Sequence, residues 1–347
     1  MSKPIKIGVV GLGRIGMSVH KDCLKARPDK YEVVAACDLI AERAEKFKET
    51  FGCRAYTNIE DLINDPEVEV VDIATRSCDH YAHAKMALLA GKSVLVEKPF
   101  CSTYEEALEL VKLGSQPAGP KVFVRHNRRL EEGFIKINEI IDSGILGEVY
   151  EVRLARNSYQ RRNDWQTIKE FGGGQLLNWG PHIVDHAIQF CGGAYTEMFS
   201  DIKRVAAVGD AEDHLKLVFK GVNGRVVDME ISGGVALPVP EYMVYGTKGT
   251  LVYEGKKIKM KYLDPSVELM DIKADPATPG SDSAFGNIEK LVWKEEEIPS
   301  SDGKTEVIWD YFYEAYRNNK PYPITSAQAI ETVRTIEAAK IGTEFAK

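Results

Sequence analysis

The 347-residue sequence lacks the features that mark metal-binding, secreted or membrane-spanning proteins. Its six cysteines include no C-x-x-C pair, so the spacing typical of zinc sites and redox-active disulfides is missing. No apolar run approaches the roughly 18 residues of a membrane-spanning helix, and the opening residues carry no signal-peptide pattern. We therefore expect a cytoplasmic protein with reduced cysteines, no bound metal and no membrane partner.

Basic residues are fewer than acidic residues. The chain has 45 Lys and Arg against 52 Asp and Glu, a net charge of −7, and no long basic run. This balance argues against nucleic acid as a partner. Apolar residues make up 44% of the chain and charged residues 28%, as in globular proteins, and the length favours two domains.

A glycine-rich turn near the start of the sequence lies between an apolar run, Ile5 to Val10, and a predicted helix. The turn contains Gly11, Leu12, Gly13, Arg14, Ile15 and Gly16, which fit the pattern G-x-G-x-x-G. Gly11 permits the sharp turn, Gly13 lets the backbone approach a pyrophosphate, and Gly16 lets the helix pack closely. The free N–H groups and the positive dipole end at the N-terminus of the predicted helix would bind the phosphates. The segment predicts dinucleotide binding.

An acidic residue follows at the spacing that this motif requires. Asp38 ends the second apolar run, Val33 to Cys37, and lies 22 residues after Gly16. Its carboxylate is placed to accept hydrogen bonds from ribose hydroxyls, and it would repel a 2′-phosphate. We expect NAD as the cofactor, with NADP disfavoured by Asp38.

Strands and helices alternate with short links as far as Arg125, which predicts a doubly wound parallel sheet. From Phe199 onward the apolar period is close to two, which predicts antiparallel strands. We place a Rossmann domain at 1–126 and an α+β domain with a large, mostly antiparallel open sheet at 127–347, its C-terminal helix packing back on the first. Residues 264–287 are predicted to form a long loop. Two closing helices are predicted at 307–318 and 326–345.

Ligands bind at the carboxyl ends of parallel strands. Two such strands are followed by the turn from Thr75 to His80 and by the pair Glu97-Lys98. These residues are therefore expected to lie with the glycine turn along one edge of the sheet, which we call the rim. A lysine at this place can stabilise an alkoxide as hydride leaves its carbon, although most lysines are solvated surface residues.

Four motifs in order resemble the glucose-fructose oxidoreductase and inositol dehydrogenase family (Gfo/Idh/MocA). They are GVVGLGRIG, VLVEKPF, VRHNRRL and GGGQLLNWGPHIVD, spread from Ile5 to about Gly192. The resemblance implies an NAD(P)-dependent dehydrogenase or reductase that acts on CH–OH groups of a sugar, cyclitol or related polyol. It also implies a homodimer or homotetramer assembled through the C-terminal sheet.

Individual roles follow from the resemblance. Lys98 and His182 are expected to be catalytic, with Asn178 beside them; a capping or core role is the alternative for His182. The resemblance makes Asp185 and Arg128 substrate ligands and gives Trp165 a place over the nicotinamide or a sugar face, where a core tryptophan is the alternative. Further cofactor contacts are expected from Thr75, Ser77, His80, Glu97, Lys98 and Asn127.

Two positions depart from the family pattern. The family usually has aspartate where this chain has Asn178, four residues before His182, and asparagine supplies no charge to stabilise an imidazolium. The histidine is then a weaker base, or Lys98 carries the proton, or the reaction runs mainly toward reduction, or the protein is catalytically silent. The family commonly has proline in place of Arg76.

Two alternatives in function and one in metal binding stay open at this point. An NAD-dependent glycosidase would oxidise a sugar carbon transiently and eliminate an aglycone, and a non-catalytic regulator would bind dinucleotide and sugar without turnover. Asn178 favours the regulator, whereas Lys98 and His182 favour an enzyme. As metal ligands would, His182, Asp185 and His186 share a helix face, but the sequence has no further ligand at the spacing that characterises metal sites.

Overall fold

A computed structural model describes residues 3–277, 286, 289–301 and 303–346. The first sheet is parallel throughout, with strand order β3-β2-β1-β4-β5-β6. Its strands are β1 (Ile5–Val10), β2 (Tyr31–Cys37), β3 (Arg54–Tyr56), β4 (Val70–Ile73), β5 (Ser93–Val96) and β6 (Val122–Val124). Its helices are α1 (Lys21–Lys25), α2 (Ala41–Phe51), α3 (Ile59–Asn64), α4 (His80–Leu89) and α5 (Tyr104–Leu113).

The second sheet has eight strands in the order β14-β13-β12-β11-β7-β10-β9-β8, and only β7 and β10 are parallel neighbours. Its strands are β7 (Val149–Asn157), β8 (Tyr195–Lys203), β9 (His214–Gly221), β10 (Val226–Ser232), β11 (Tyr242–Gly246), β12 (Gly249–Glu254), β13 (Lys257–Leu263) and β14 (Trp293–Pro299). The remaining helices are α6 (Glu132–Asp142), α7 (Gln175–Asn178), α8 (Gly180–Phe190), α9 (Ile308–Asn318) and α10 (Ser326–Lys340). The predicted fold class, a Rossmann sheet followed by a mostly antiparallel open sheet, is confirmed.

The buried apolar residues form two clusters, one around each sheet. Trp309 and Phe312 of α9 are fully buried in the cluster of the first sheet, although they lie near the end of the chain. Helix α10 packs against both α5 and α8. The last part of the chain therefore stabilises the first core, and the boundary at residue 126 stays a prediction.

Some elements differ from what the sequence predicted. The glycine turn leads into a π-helical turn, Ile15–His20, before α1 begins. The first strand of the second sheet's antiparallel part begins at Tyr195, before the predicted start at Phe199, and α10 ends at Lys340 rather than Phe345. Residues 264–277 of the predicted loop contain no helix or strand, and its residues 278–285 and 287 lie outside the described residues.

The edge strand β14 was not predicted, because its sequence WKEEEIP shows no apolar alternation. Cross-strand ion pairs stand in for apolar contacts: Lys257 Nζ lies 2.5 Å from Glu297 and Lys261 Nζ lies 2.7 Å from Glu295. Opposite charges on paired strands favour the register, and a charged edge resists pairing with other chains.

Candidate functional site

The glycine turn has the shape that a dinucleotide requires. Gly11 has φ +91°, and a Cβ there would lie 2.6 Å from the carbonyl of Ala74. A Cβ on Gly16 would lie 2.2 Å from the carbonyl oxygen of Gly11. A Cβ on Gly13 would meet no described atom within 4 Å, so the backbone there faces open space. The residues present fit a bound pyrophosphate at this turn.

Asp38 stands beside the turn at the end of β2. Its Oδ2 accepts a hydrogen bond of 2.8 Å from the Leu12 N–H and its Oδ1 one of 2.9 Å from the Ile40 N–H. Arg43 lies 3.6 Å from the same carboxylate. Since a carboxylate offers about four lone-pair sites, Asp38 is held by the loop and keeps capacity for ribose hydroxyls.

The other two residues of the turn point outward. The side chain of Arg14 is 79% exposed and lies 3.6 Å from Asp164, in the segment before α7. Ile15 is 39% exposed. The Arg14 ion pair links the turn to the second half of the chain, and the cofactor contacts of both residues stay predictions.

Lys98 follows β5 on the same rim. Its Nζ donates a hydrogen bond of 2.8 Å to the Asn178 carbonyl oxygen and approaches Asn178 Oδ1 at 3.5 Å. Burial lowers the pKa of Lys98 to about 8; Glu97 opposes this shift and Arg128 adds to it. Lys98 is thus a fixed ammonium group that can lose its proton close to neutral pH.

A buried polar network lies behind Lys98. His20 Nδ1 is 2.6 Å from Asp72, His20 Nε2 is 2.8 Å from Glu97 Oε1, and Arg125 Nη1 donates to the same Oε1 at 2.5 Å. The other oxygen, Oε2, accepts from the Lys98 backbone N–H at 3.1 Å. Burial raises the pKa of Glu97, but Arg125 and His20 outweigh it and hold that pKa well below its ordinary range.

This network engages the carboxylate from which a cofactor contact is expected. The side chain is 5% exposed and both carboxylate oxygens accept hydrogen bonds within the protein. The cofactor contact of Glu97 stays a prediction, and its Oε2 holds the Lys98 backbone N–H. The network joins the helical turn after the glycines, through His20, to the strand that carries Lys98. Sequence reasoning missed His20, because its partners are 52 and 77 residues away.

His182 lies at the start of α8 and is 6% exposed. Burial holds its pKa well below 6.5, and the cations Lys98 and Arg128 lower it further. In the described part of the chain, its Nδ1 has no hydrogen-bond partner. The imidazole is therefore neutral and a poor proton acceptor.

Asn178 contacts Lys98 rather than His182. In the described residues, its Oδ1 is 3.5 Å from Lys98 Nζ and accepts from Gln166 Nε2 at 3.3 Å, and no hydrogen bond joins it to His182. The catalytic role expected for Asn178 stays a prediction. In this structure its side chain approaches the ammonium group of Lys98.

Asp185 is paired with Arg129 in this structure. It receives two hydrogen bonds from Arg129, of 2.8 and 2.6 Å, and is 1% exposed. Arg129 in turn donates to the Pro323 carbonyl and to Gln328 of α10. This buried pair ties α8 to the chain before α6 and to α10, and the role of Asp185 as a substrate ligand stays a prediction.

Trp179 is an aromatic residue beside His182 that the sequence did not single out, and the role of Trp165 stays a prediction. The ring of Trp179 is 5.9 Å from that of His182, and the guanidinium carbons of Arg128 and Arg156 lie 4.3 and 3.7 Å from its centre. Arg128 also pairs with Glu131. Trp165 is half-buried in a short 3-10 turn. The sequence placed both tryptophans close to the histidine motif but gave no signal that distinguishes them.

The remaining predicted cofactor residues divide into two groups. His80 is 1% exposed, with Nδ1 2.6 Å from the Pro99 carbonyl and Nε2 3.2 Å from the Thr75 carbonyl, so it links two strand ends, and its cofactor contact stays a prediction. Thr75 Oγ1 lies 3.1 Å from His83. Ser77 is 8% exposed, and Asn127 is half-buried. Thr75, Ser77 and Asn127 keep their expected place near the rim.

His126 is a site residue that the sequence did not reveal. It is 1% exposed, and neither ring nitrogen has a hydrogen-bond partner in the described residues. Burial lowers its pKa, which Asp185 opposes. The only signal was its place in VRHNRRL, directly before Asn127, where the side chain's direction cannot be read.

No group of three or more His, Cys, Asp or Glu in the described ranges is arranged to hold a metal ion. His186 stacks on Phe134, with ring centres 3.9 Å apart, and its Nδ1 is 2.9 Å from Tyr242 Oη. These contacts are those of a core residue. Over the same residues, no helix is both long and apolar enough to cross a membrane.

Glu212 is a buried acid that supports the segment carrying Asn178. It is 5% exposed, and its Oε1 accepts from the Leu176 N–H at 2.9 Å at the start of α7. Burial raises the pKa of Glu212 to about 7 from an ordinary value of 4.5. The folded state therefore prefers the protonated acid, and its stability falls as pH rises between these two values.

Replacing Glu212 with glutamine should remove that pH dependence. We compare the free energy of unfolding of Glu212→Gln with that of wild type at the same pH. This difference should be more favourable to the variant at pH 7 than at pH 4.5 by roughly 3 kcal/mol. Urea unfolding at both pH values measures the change, and the exposed Glu170→Gln serves as control. A stability difference that is the same at both pH values would contradict the raised pKa.

Comparisons with known proteins agree with this fold. Residues 5–126 match "Oxidoreductase family, NAD-binding Rossmann fold" and residues 134–252 match "GFO/IDH/MocA C-terminal domain". The chain is similar to an uncharacterized oxidoreductase of Schizosaccharomyces pombe, 31% identical over 291 residues, 80% of this chain and 76% of that protein. It is also similar to a scyllo-inositol 2-dehydrogenase (NADP(+)) of Bacillus subtilis, 26% identical over 340 residues, 96% and 92% of the two chains. An NAD-binding protein from Listeria innocua has the same fold, with a TM-score of 0.83 at 22% identity over 99% and 98% of the two chains.

Proposed function

Since the chain belongs to the GFO/IDH/MocA family of oxidoreductases with an NAD-binding Rossmann fold, we propose that it is an NAD-dependent dehydrogenase or reductase acting on CH–OH groups. Its substrate is a sugar, cyclitol or related polyol. When bound, NAD exchanges hydride with a secondary hydroxyl or ketone carbon. The observation that carries the proposal is the half-buried, hydrogen-bonded ammonium of Lys98 on the same rim as the glycine turn.

The residues that would hold the dinucleotide are those of the turn and the two neighbouring strand ends. The backbone from Gly11 to Gly16 faces the pyrophosphate, and Asp38 accepts from the ribose. Thr75, Ser77 and Asn127 border the path toward Lys98. Supporting this placement, a side chain at Gly11 or Gly16 would collide with the backbone, whereas Gly13 opens outward.

Lys98 is the proton carrier in this proposal. With a pKa of about 8, it can accept the hydroxyl proton during oxidation and return it during reduction. His182 is neutral and its pKa is too low for that task, so it orients the hydroxyl by hydrogen bonding. Of the possibilities left open by Asn178, proton transfer by Lys98 is the one that the two pKa values favour.

Two other functions are a non-catalytic regulator, which the site disfavours, and a glycosidase, which would use the same residues. A regulator has no use for an ammonium group whose pKa is brought close to 8 by burial, so the enzyme is favoured. A glycosidase would use the same Lys98 for its transient oxidation. Release of aglycone without net reduction of NAD would identify it.

A screen tests the proposed function directly. Sugars, inositols and their keto forms are mixed with NAD or NADH, and absorbance at the nicotinamide band is followed as pH varies. We expect oxidation to rise with pH and level off above about 8, because the neutral amine of Lys98 is then present. Absence of hydride transfer with every polyol and ketone would reject the proposal.

Substitution of Asn178 by aspartate tests the contact with Lys98. A carboxylate 3.5 Å from Nζ should raise the pKa of Lys98 by roughly one to two units. The midpoint of the pH profile for oxidation should move up by the same amount, and oxidation at pH 7 should slow. Asn178→Ala, which adds no charge, is the control; an unchanged midpoint in Asn178→Asp would refute the contact.

Replacing Asp38 with serine tests the preference for NAD. The change removes the negative charge that would face a 2′-phosphate and frees Arg43, now 3.6 Å from that carboxylate. We expect the ratio of kcat/KM for NADP over NAD to rise at least roughly tenfold. Adding Arg43→Ala should cancel part of the gain. A ratio that does not change would remove Asp38 from cofactor selection.

Assembly through the second sheet is part of the proposal. Helices cover one face of this sheet, and the other face exposes Phe199 by 59% and Tyr150 by 52%. The ring of Tyr150 lies 6.4 Å from that of Tyr245 on that face. Exposed aromatic residues on a sheet face that no helix covers favour a contact with a second copy of the chain. Light scattering would distinguish the expected dimer or tetramer from a monomer.

A further inference from the structure

A cleft of about 360 Å³ lies beside Trp179, the residue that follows Asn178. Its floor is formed where the parallel strands β7 and β10 end, at the in-register pair Asn157 and Ser232. The loop 238–241 forms a wall. The volume falls within the range of roughly 300–1,000 Å³ that small-molecule sites occupy. None of the roles proposed above uses this space.

Arg156 presents unused hydrogen-bond donors to the cleft. Its guanidinium lies 3.7 Å from the centre of the Trp179 ring, which fixes the plane of the group. The carboxylate of Glu241 is 3.8 Å away, beyond hydrogen-bonding distance, and no other described residue accepts from it. The side chain is 35% exposed. A guanidinium held flat with free N–H groups is preorganised to bind oxygen atoms of a ligand.

Two amide side chains line the same cleft. Asn157 Oδ1 and Gln175 Oε1 are enclosed and have no hydrogen-bond partner among the described residues. Buried polar atoms in folded proteins are normally satisfied. A rotation of either amide toward the cleft would let a ligand hydroxyl donate to its oxygen, and other hydroxyl oxygens of the ligand would accept from Arg156.

The charge and polarity of the walls limit what this ligand can be. Glu241 and Glu254 also line the cleft and offset the charge of Arg156, so the site does not favour an anion. Pro238, Val239 and Pro240 give an apolar wall. A ring with hydroxyls at its edge and C–H groups on its face matches both surfaces.

We propose that this cleft binds the second, uncharged ring of a glycoside whose first ring lies at Lys98. The protein would then act on disaccharides or other glycosides in preference to single sugars. This inference rests on the proposed function, because the first ring is placed by Lys98 and Asn178, adjacent in sequence to Trp179.

Calorimetric titration of the full chain with NADH present tests the subsite without relying on turnover. The probes are D-glucose and D-galactose, the disaccharides maltose, cellobiose, lactose and melibiose, and a disaccharide whose second ring is glucuronic acid. We expect at least one neutral disaccharide to bind tenfold or more tightly than its constituent monosaccharides. Equal affinities, no binding by any disaccharide, or tighter binding of the uronic acid would overturn the proposal.

Variants on the same strand and loop separate the cleft from the fold. Arg156→Ala should reduce the disaccharide advantage to less than threefold, whereas Arg153→Ala, an exposed arginine of the same strand, should leave it intact. Val239→Trp, at a position 49% exposed, should block the cleft without burying new groups. If both Arg156→Ala and Val239→Trp keep the wild-type advantage, the second ring binds elsewhere.

Hydride transfer is read separately in the same samples. Tighter binding of a disaccharide without reduction of NAD would uphold the subsite and reject the proposed function. Turnover of single sugars and disaccharides with equal affinity would uphold the function and reject the subsite.

Discussion

Lys98→Met should lower kcat for hydride transfer by about a thousandfold or more, in either direction, while NADH binding stays within a few-fold of wild type. Methionine is similar in length and suits a buried position, but it can neither stabilise an alkoxide nor carry a proton. The hydrogen bond to the Asn178 carbonyl is lost as well. The dinucleotide turn is untouched, since Lys98 belongs to a different strand end.

Steady-state rates and fluorescence titration with NADH measure the two effects. Lys112→Met, at an exposed position on α5, is the matched control and should keep kcat within twofold. Turnover by Lys98→Met at more than a tenth of the wild-type rate would remove Lys98 from the chemistry. Loss of NADH binding together with turnover would instead indicate a structural role.

Glu97→Gln should have the largest effect on stability. Glutamine leaves His20 and Arg125 without the carboxylate that each of them contacts, in a region that water does not reach. Breaking a buried charge network in this way costs about 3–5 kcal/mol in free energy of unfolding. Urea unfolding measures the loss, and Glu105→Gln, on the exposed surface of α5, is the control.

The same variant separates positioning from simple destabilisation. Glu97 raises the pKa of Lys98 against the effect of burial, so its removal should shift the midpoint of the oxidation profile below 8. A variant that is merely less stable would keep the wild-type midpoint at temperatures where it remains folded. An unchanged midpoint would show that Glu97 does not act on Lys98.

Much of the fold could be read from the sequence, because its signals are local. The strand, turn, helix and acid from Ile5 to Asp38 have fixed spacings, and the period of two between β9 and β13 marks strands without reference to partners. The edge strand β14 was missed for the opposite reason. It is held by charge pairing to β13, and its own sequence has no apolar period.

The site was predicted less completely, because side-chain roles depend on distant partners. Asp185 has the right spacing from His182 for a substrate ligand, yet Arg129, 56 residues away in sequence, occupies its carboxylate. Asn178 points to Lys98, 80 residues away, rather than to the histidine four residues on. Neither choice can be made from spacing on one helix.

The most direct measurement is a crystal structure of the full chain with NADH. We expect the pyrophosphate along the backbone at Gly13, the adenosine ribose at Asp38 and C4 of the nicotinamide ring facing Lys98 Nζ across a space that fits a substrate carbinol. A nicotinamide ring bound away from that ammonium group, with the glycine turn empty, would contradict the proposed chemistry.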